Sequence, residues 1–281
     1  MILTARKVRP MRIVRAVVLL TAGLAGGEST LRGQPPDAAQ VLASTREALG
    51  GEKAFASVKT FVATGRTRQI RGNNLVPIEF EISCELPDKF VRKDEIPAQD
   101  SDVTVVGFRG EELIQFPPPP PGRAGGPPGP PAGRSGPPPN PAQQRLTTVK
   151  QDFARLMLGV FAASFSPYPL TFKYAAEGEA PEGKADILDV AGPANFAVRF
   201  VVQRDTHLPV MLMWQQPATP GTAQAKPTDY RMYYAEYRTV NGIKWPFRIR
   251  RAVAGDTIEE TTFDRVSVNV KIDPRKFEAP K

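Results

Sequence analysis

The sequence predicts a mainly β protein with a few α-helices, an α+β chain of about eleven antiparallel strands. Three observations carry this. From residue 60 onward apolar residues alternate with polar ones at a period of two, as in strands with one face in a core. The connections are short and rich in turn-forming residues, as antiparallel hairpins require. Strands do not alternate with long helices, which argues against a parallel sheet and a dinucleotide-binding crossover.

The elements follow in order. Residues 1–15 are basic, 16–25 (A-V-V-L-L-T-A-G-L-A) are small and apolar, and Gly26-Gly27-Glu28 ends the run. This is the pattern of a secretory signal peptide, too short to span a bilayer, which needs about 20 apolar residues. Cleavage after Ala25 is expected, and Met11 can also serve as the start. No cysteine follows the apolar run, so it offers no lipoprotein anchor. Residues 26–37 are polar and read as a flexible lead-in. Val41, Leu42, Thr45, Ala48 and Leu49 give helical spacing from Ala38, and Gly50-Gly51 stops that helix. K-A-F-A-S-V adds a further helical turn. Strands are then expected at 60–70, 77–85 and 89–96, with a hairpin over 102–116 turning at Arg109-Gly110. In 77–85, Ile78, Phe80, Ile82 and Cys84 take one face and Glu79, Glu81 and Glu85 the other.

Residues 117–141 hold 13 prolines and 6 glycines in 25 positions. Proline removes backbone donors and glycine adds chain entropy, so this stretch reads as a disordered surface loop inside one domain spanning 38–281. A second helix is expected over 147–164, with Phe153, Leu156, Met157, Val160 and Phe161 as its apolar stripe. Alternating runs then continue to Val270.

Composition excludes several functions. Of the formal net charge of +8, the first 25 residues hold +5 and the Pro/Gly-rich stretch +2, leaving a near-neutral body. That is no footprint for nucleic acid. One cysteine permits no internal disulfide, and one histidine argues against multi-histidine metal sites. The common nucleophile, phosphate-loop, dinucleotide and zinc motifs are missing, so no catalytic residue, cofactor or metal is expected. His207, in R-D-T-H-L-P, reads as a polar turn residue, or as a base oriented by Asp205. Glu79, Glu81 and Glu85 read as a solvated charge face opposite Arg66 and Arg68. Arg248, Arg250 and Arg251 read likewise, with an anionic-lipid site as the alternative.

The strands also carry an excess of apolar residues. Val210–Trp214 is apolar at every position, so it is covered on both faces or borders a cavity on one. Tyr230, Met232 and Tyr234 share one strand face and Tyr233 and Tyr237 the other. Trp245, Phe247 and Ile249 alternate with Arg248 and Arg250. Methionines and aromatics together make an adaptable apolar lining. Trp214, Met213, Met211, Trp245, Phe247 and Phe80 are the expected ligand-contacting residues.

Five short runs, in order, resemble a known family. They are A-L-G-G-E-K-A-F (48–55), K-T-F-V-A-T-G-R (59–66), R-D-T-H-L-P-V-M-L-M-W (204–214), V-N-G-I-K-W-P-F (240–247) and V-N-V-K-I-D-P-R-K-F-E-A-P (268–280). They are similar to the fold shared by periplasmic lipoprotein chaperones, outer-membrane lipoprotein receptors and lipid-sensing regulators of envelope stress. The resemblance implies an incomplete antiparallel β-barrel wrapped around helices, a periplasmic location, and an apolar cavity for lipid or lipoprotein acyl chains. Membrane or envelope proteins are further implied partners. The family's lid arginine matches no one residue here, and the Pro-rich insert departs from the family pattern. The alternative is an envelope protein-interaction module that uses the insert and no lipid.

The exported protein should lack residues 1–25. N-terminal sequencing checks this, and a mature chain starting at Met1 or Met11 would contradict it.

Overall fold

The computed structural model describes residues 37–97, 103–118, 140–216 and 227–278. The expected signal peptide, the segment after it up to residue 36, and residues 119–139 of the Pro/Gly-rich stretch lie outside the described residues. The described elements begin with helices α1 (Ala38–Leu49) and α2 (Glu52–Ser57). Strands β1 (Thr60–Arg71), β2 (Asn74–Glu85), β3 (Lys89–Glu95), β4 (Val103–Arg109) and β5 (Glu112–Phe116) follow. After helix α3 (Pro141–Phe161) come β6 (Thr171–Ala180), β7 (Gly183–Gly192), β8 (Phe196–Gln203) and β9 (Pro209–Gln216). The last strands are β10 (Thr228–Val240), β11 (Ile243–Val253) and β12 (Asp256–Val268). A 3-10 turn at Pro274–Phe277 ends the described chain.

All twelve strands, one more than the expected count of about eleven, lie in one antiparallel sheet ordered β5-β4-β3-β2-β1-β12-β11-β10-β9-β8-β7-β6. Every neighbouring pair is a sequential hairpin or meander except β1–β12. That pair joins the strands before α3 to those after it. The edges β5 and β6 are not paired with each other, so the sheet is an incomplete barrel. The helices occupy its concave side, where the main core includes Leu49, Phe55, Phe61, Phe153, Met157, Phe161, Leu212 and Trp245.

Local chemistry fixes the helix ends. The Asp37 carboxylate accepts from the Gln40 amide at 2.7 Å and caps α1. The Asn140 side chain accepts from the Ala142 amide at 3.0 Å, with Pro141 at the first helical position. This cap starts α3 six residues before the expected Thr147, inside the stretch expected to be loop through 141. Ala162, in the left-handed conformation, ends it before the expected 164.

The C-terminal motif works as a latch. Asn269 accepts from the Lys59 amide at 2.8 Å and donates to the Ser57 carbonyl at 2.9 Å, tying the end of β12 to the start of β1. Asp273 caps the 3-10 turn, and Phe277 is buried on the convex face with Val91, Val105 and Ile114. The same face carries a second cluster, of Ala185, Val201, Val210 and Met211, over β7, β8 and β9.

α3 is seated on β10 by a close approach. A Cβ on Gly159 would lie 2.3 Å from the Tyr234 ring, so only glycine lets helix and ring meet. The Tyr234 hydroxyl donates to the Arg155 carbonyl at 2.6 Å. The Tyr237 hydroxyl shares its one proton between the carbonyls of Gly159 and Pro209, each at 3.0 Å. Strict alternation would turn Tyr237 away from Tyr234. Glu236, at φ 55°, drops out of the β10–β11 pairing, and Tyr237 beyond it reaches the helix.

Gly159→Ala should cost about 1–3 kcal/mol by overpacking, and Tyr234→Phe about 1 kcal/mol by removing a buried hydrogen bond. Urea unfolding measures both; a Gly159→Ala protein as stable as the parent would contradict the close approach.

Candidate functional site

α3 divides the concave space in two. Its residues Phe153, Met157 and Phe161 lie on one stripe and pack into a dense aromatic core. The Phe153 ring meets Phe90 and Phe108 at centroid distances of 5.4 and 5.2 Å. Phe161 meets Phe55 and Trp245 at 5.3 and 5.6 Å. Arg145, Val149, Asp152 and Leu156, spaced along an adjacent face of the same helix, stand over a cavity of about 550 Å3. That volume falls in the usual range of about 300–1,000 Å3 for ligand sites.

The far wall of the cavity is the sheet. Ile78, Ile82, Phe90, Val106, Met232, Ile249 and Phe263 supply apolar surface. Ile96, Val103, Phe116 and Pro117 extend it at the β3–β4 and β5 ends. Arg71, at the tip of β1, and Arg145, in the first turns of α3, are exposed and line the same space.

A polar band crosses the wall. The hydroxyls of Thr67 and Thr261, both buried, are 2.9 Å apart across β1 and β12. Arg92 donates to Thr67 Oγ1 at 3.1 Å and to Asp94 at 2.7 Å, while its guanidinium lies 4.8 Å from the Phe80 ring centre. Arg251 approaches Glu259 only to 3.9 Å, and its Nε is buried without a hydrogen-bond partner. Asp152 accepts from Arg155 at 2.9 Å. The Arg155 guanidinium lies 4.6 Å from the Trp214 ring and 5.2 Å from Phe196, and burial lowers its pKa from the usual arginine value. Arginine stays charged even so. Burial likewise pushes the Tyr234 and Tyr237 hydroxyls and the Cys84 thiol above their ordinary values, so they stay neutral.

Comparison with known proteins comes from structure alone: no family model and no curated protein matches the sequence. A LolA superfamily protein from Nitrosomonas europaea matches with a TM-score of 0.54 at 12% identity, over 85% of this chain and 97% of that one. This chain has the LolA-superfamily fold. A DUF1329 family protein from Desulfovibrio piger is more distant, with a TM-score of 0.46 at 8% identity over 85% of this chain and 95% of that one.

Within the LolA-superfamily fold, the six expected ligand-contacting residues fall outside the cavity lining. Trp245 packs on Phe61 and Phe161 in the solid half of the core. Trp214 stacks on Tyr230 and lies against Arg155. Met211 and Met213 sit on the convex face, which explains why Val210–Trp214 is apolar throughout: both faces are covered. Phe247 lies under Arg238, and Phe80 lies under Arg92, one layer behind the cavity wall.

The charged residues also sort differently. Arg248 pairs with Glu236 and Glu260, as a surface charge should, and Arg250 lies on Tyr233. Arg251 lines the cavity instead. The signal was legible: it continues the alternation Trp245, Phe247, Ile249. Arg66 stands opposite Glu79 in the β1–β2 register and pairs with Asp264 at 3.3 Å, while Glu81 and Glu85 pair with Lys276 and Lys89. His207 is exposed in the β8–β9 turn at φ 55°. Among the described residues, no three His, Cys, Asp or Glu side chains are grouped to hold a metal. Among them also, no helix is long and apolar enough to cross a membrane.

Proposed function

We propose that this chain is a non-enzymatic periplasmic binding protein that holds lipid or lipoprotein acyl chains under α3, for transport or sensing. The observation that carries this reading is the cavity of about 550 Å3 between α3 and the apolar wall of the sheet. The LolA-superfamily fold and the leader-like N-terminus support it. Acyl chains need no polar chemistry for recognition, which suits a sequence without catalytic motifs. Burial contributes about 0.8 kcal/mol per methylene, so one or two chains give useful yet reversible affinity. The interaction-module reading draws on the Pro/Gly-rich insert, most of which lies outside the described residues.

A fluorescent fatty-acid probe should bind the purified chain saturably and be displaced by palmitate. Shortening the competitor by two methylenes should weaken it about tenfold or slightly more. Leu156→Trp, which narrows the cavity under α3, should weaken binding while unfolding remains cooperative. Neither indole lines the cavity, so tryptophan emission should stay put on saturation. A blue shift would instead move the ligand to Trp214 or Trp245. Binding unchanged in Leu156→Trp would contradict the assignment.

A further inference from the structure

We propose that the cavity is selective for an amphiphile with an anionic head, a carboxylate or a phosphate, seated against Arg251 with Arg71 and Arg145 at the rim. This rests on the acyl-chain reading above and adds the chemistry of the head group. The lining contains four arginines and three acids, but the acids are unevenly engaged. Asp94 is taken by Arg92 at 2.7 Å. Asp152 is taken by Arg155, which approaches it from outside the cavity lining. Glu259 is the one acid near Arg251, and at 3.9 Å it is beyond hydrogen-bond reach.

Arg251 therefore lines the cavity with a side chain 31% exposed and a guanidinium that makes no hydrogen bond with the other described residues. Its Nε is sealed from solvent, so the terminal N–H groups are the ones that an anion in the cavity would meet, by charge-assisted hydrogen bonds. Arg71 spends its Nε on the neutral Gln69 side chain at 2.7 Å. Arg145 makes no hydrogen bond or ion pair with the other described residues. The guanidinium fork fits two oxygens of a carboxylate or phosphate, which a neutral ester or hydroxyl head cannot replace. The wall beyond the arginines is apolar, so the chain of the amphiphile and its head have separate places. A cationic head meets the same excess of arginine and is disfavoured.

The test uses the full chain and four ligands of equal acyl length: palmitate, a lysophosphatidic acid, a neutral monoacylglycerol and an alkyltrimethylammonium. Calorimetry should show the two anions about tenfold or more tighter than the neutral ester, with the cation weakest. Preference for palmitate alone identifies a carboxylate site, and for the lysophosphatidic acid alone a phosphate site; each supports the proposal. Arg251→Met should reduce the anion preference to within about threefold, while monoacylglycerol affinity is kept. Arg145→Gln, at an exposed position that folding should not feel, should lower the preference in part and weaken its salt dependence. Monoacylglycerol binding as tightly as palmitate would overturn the head-group proposal and leave the acyl reading intact. Failure of all four ligands to bind would overturn both.

Discussion

The contact between Gly159 and Tyr234 is the constraint on which the rest of the architecture depends. A twelve-stranded sheet that is not closed has a concave face that must be covered, and α3 is the longest element available to cover it. Two tyrosine hydroxyls from β10 reach the α3 backbone at Arg155 and Gly159. Because both bonds fall in the C-terminal half of the helix, that half is held hard on the sheet. Phe153, Met157 and Phe161 then pack without space. The N-terminal half is held at the side, through the Lys150–Glu111 ion pair at 2.7 Å. The cavity lies beside the packed stripe, under the helix face that carries Arg145, Val149, Asp152 and Leu156.

This division explains why the site is both apolar and charged. The packed half admits the buried charge of Arg155, which is kept by Asp152 and by two aromatic rings. The open half is bounded by strand positions that alternate inward, and those include arginines as well as isoleucines. Thr67 and Thr261 show how such positions are tolerated: their hydroxyls share a hydrogen bond across the β1–β12 pair, and Thr67 also accepts from Arg92. That strand pair is also where the first and last strands in chain order meet, so the cavity floor and the join between the two parts of the sheet are built by the same residues.

Much of the fold was legible because strand alternation and turn chemistry are local. The five runs that resemble the lipoprotein-carrier family sit where the structure needs special geometry. D-P-R-K-F caps and buries Phe277, and R-D-T-H-L-P makes the β8–β9 turn. The start of α3 was missed because the Asn140-Pro141 cap lies at the end of a proline-rich run, where the composition argues for loop. That error concealed Arg145 as a helical wall residue. Bulk marks the solid core as readily as a cavity, so large apolar side chains do not by themselves locate the lining. Which face borders empty space depends on how far the helix stands off the sheet, a tertiary property set by Gly159. Arg251 alone could have been placed from its strand, by reading its parity with Trp245 and Phe247 over its charge.

The most direct test of the central claim is to ask where an acyl chain touches the protein. A fatty acid carrying a photoreactive diazirine near its methyl end, cross-linked to the full chain and mapped by mass spectrometry, gives that answer. The account predicts saturable labelling, competed by palmitate, on Ile82, Phe90, Leu156 or their cavity neighbours. Labelling confined to Trp214, Met211 or Met213, or labelling that palmitate does not compete, would contradict it.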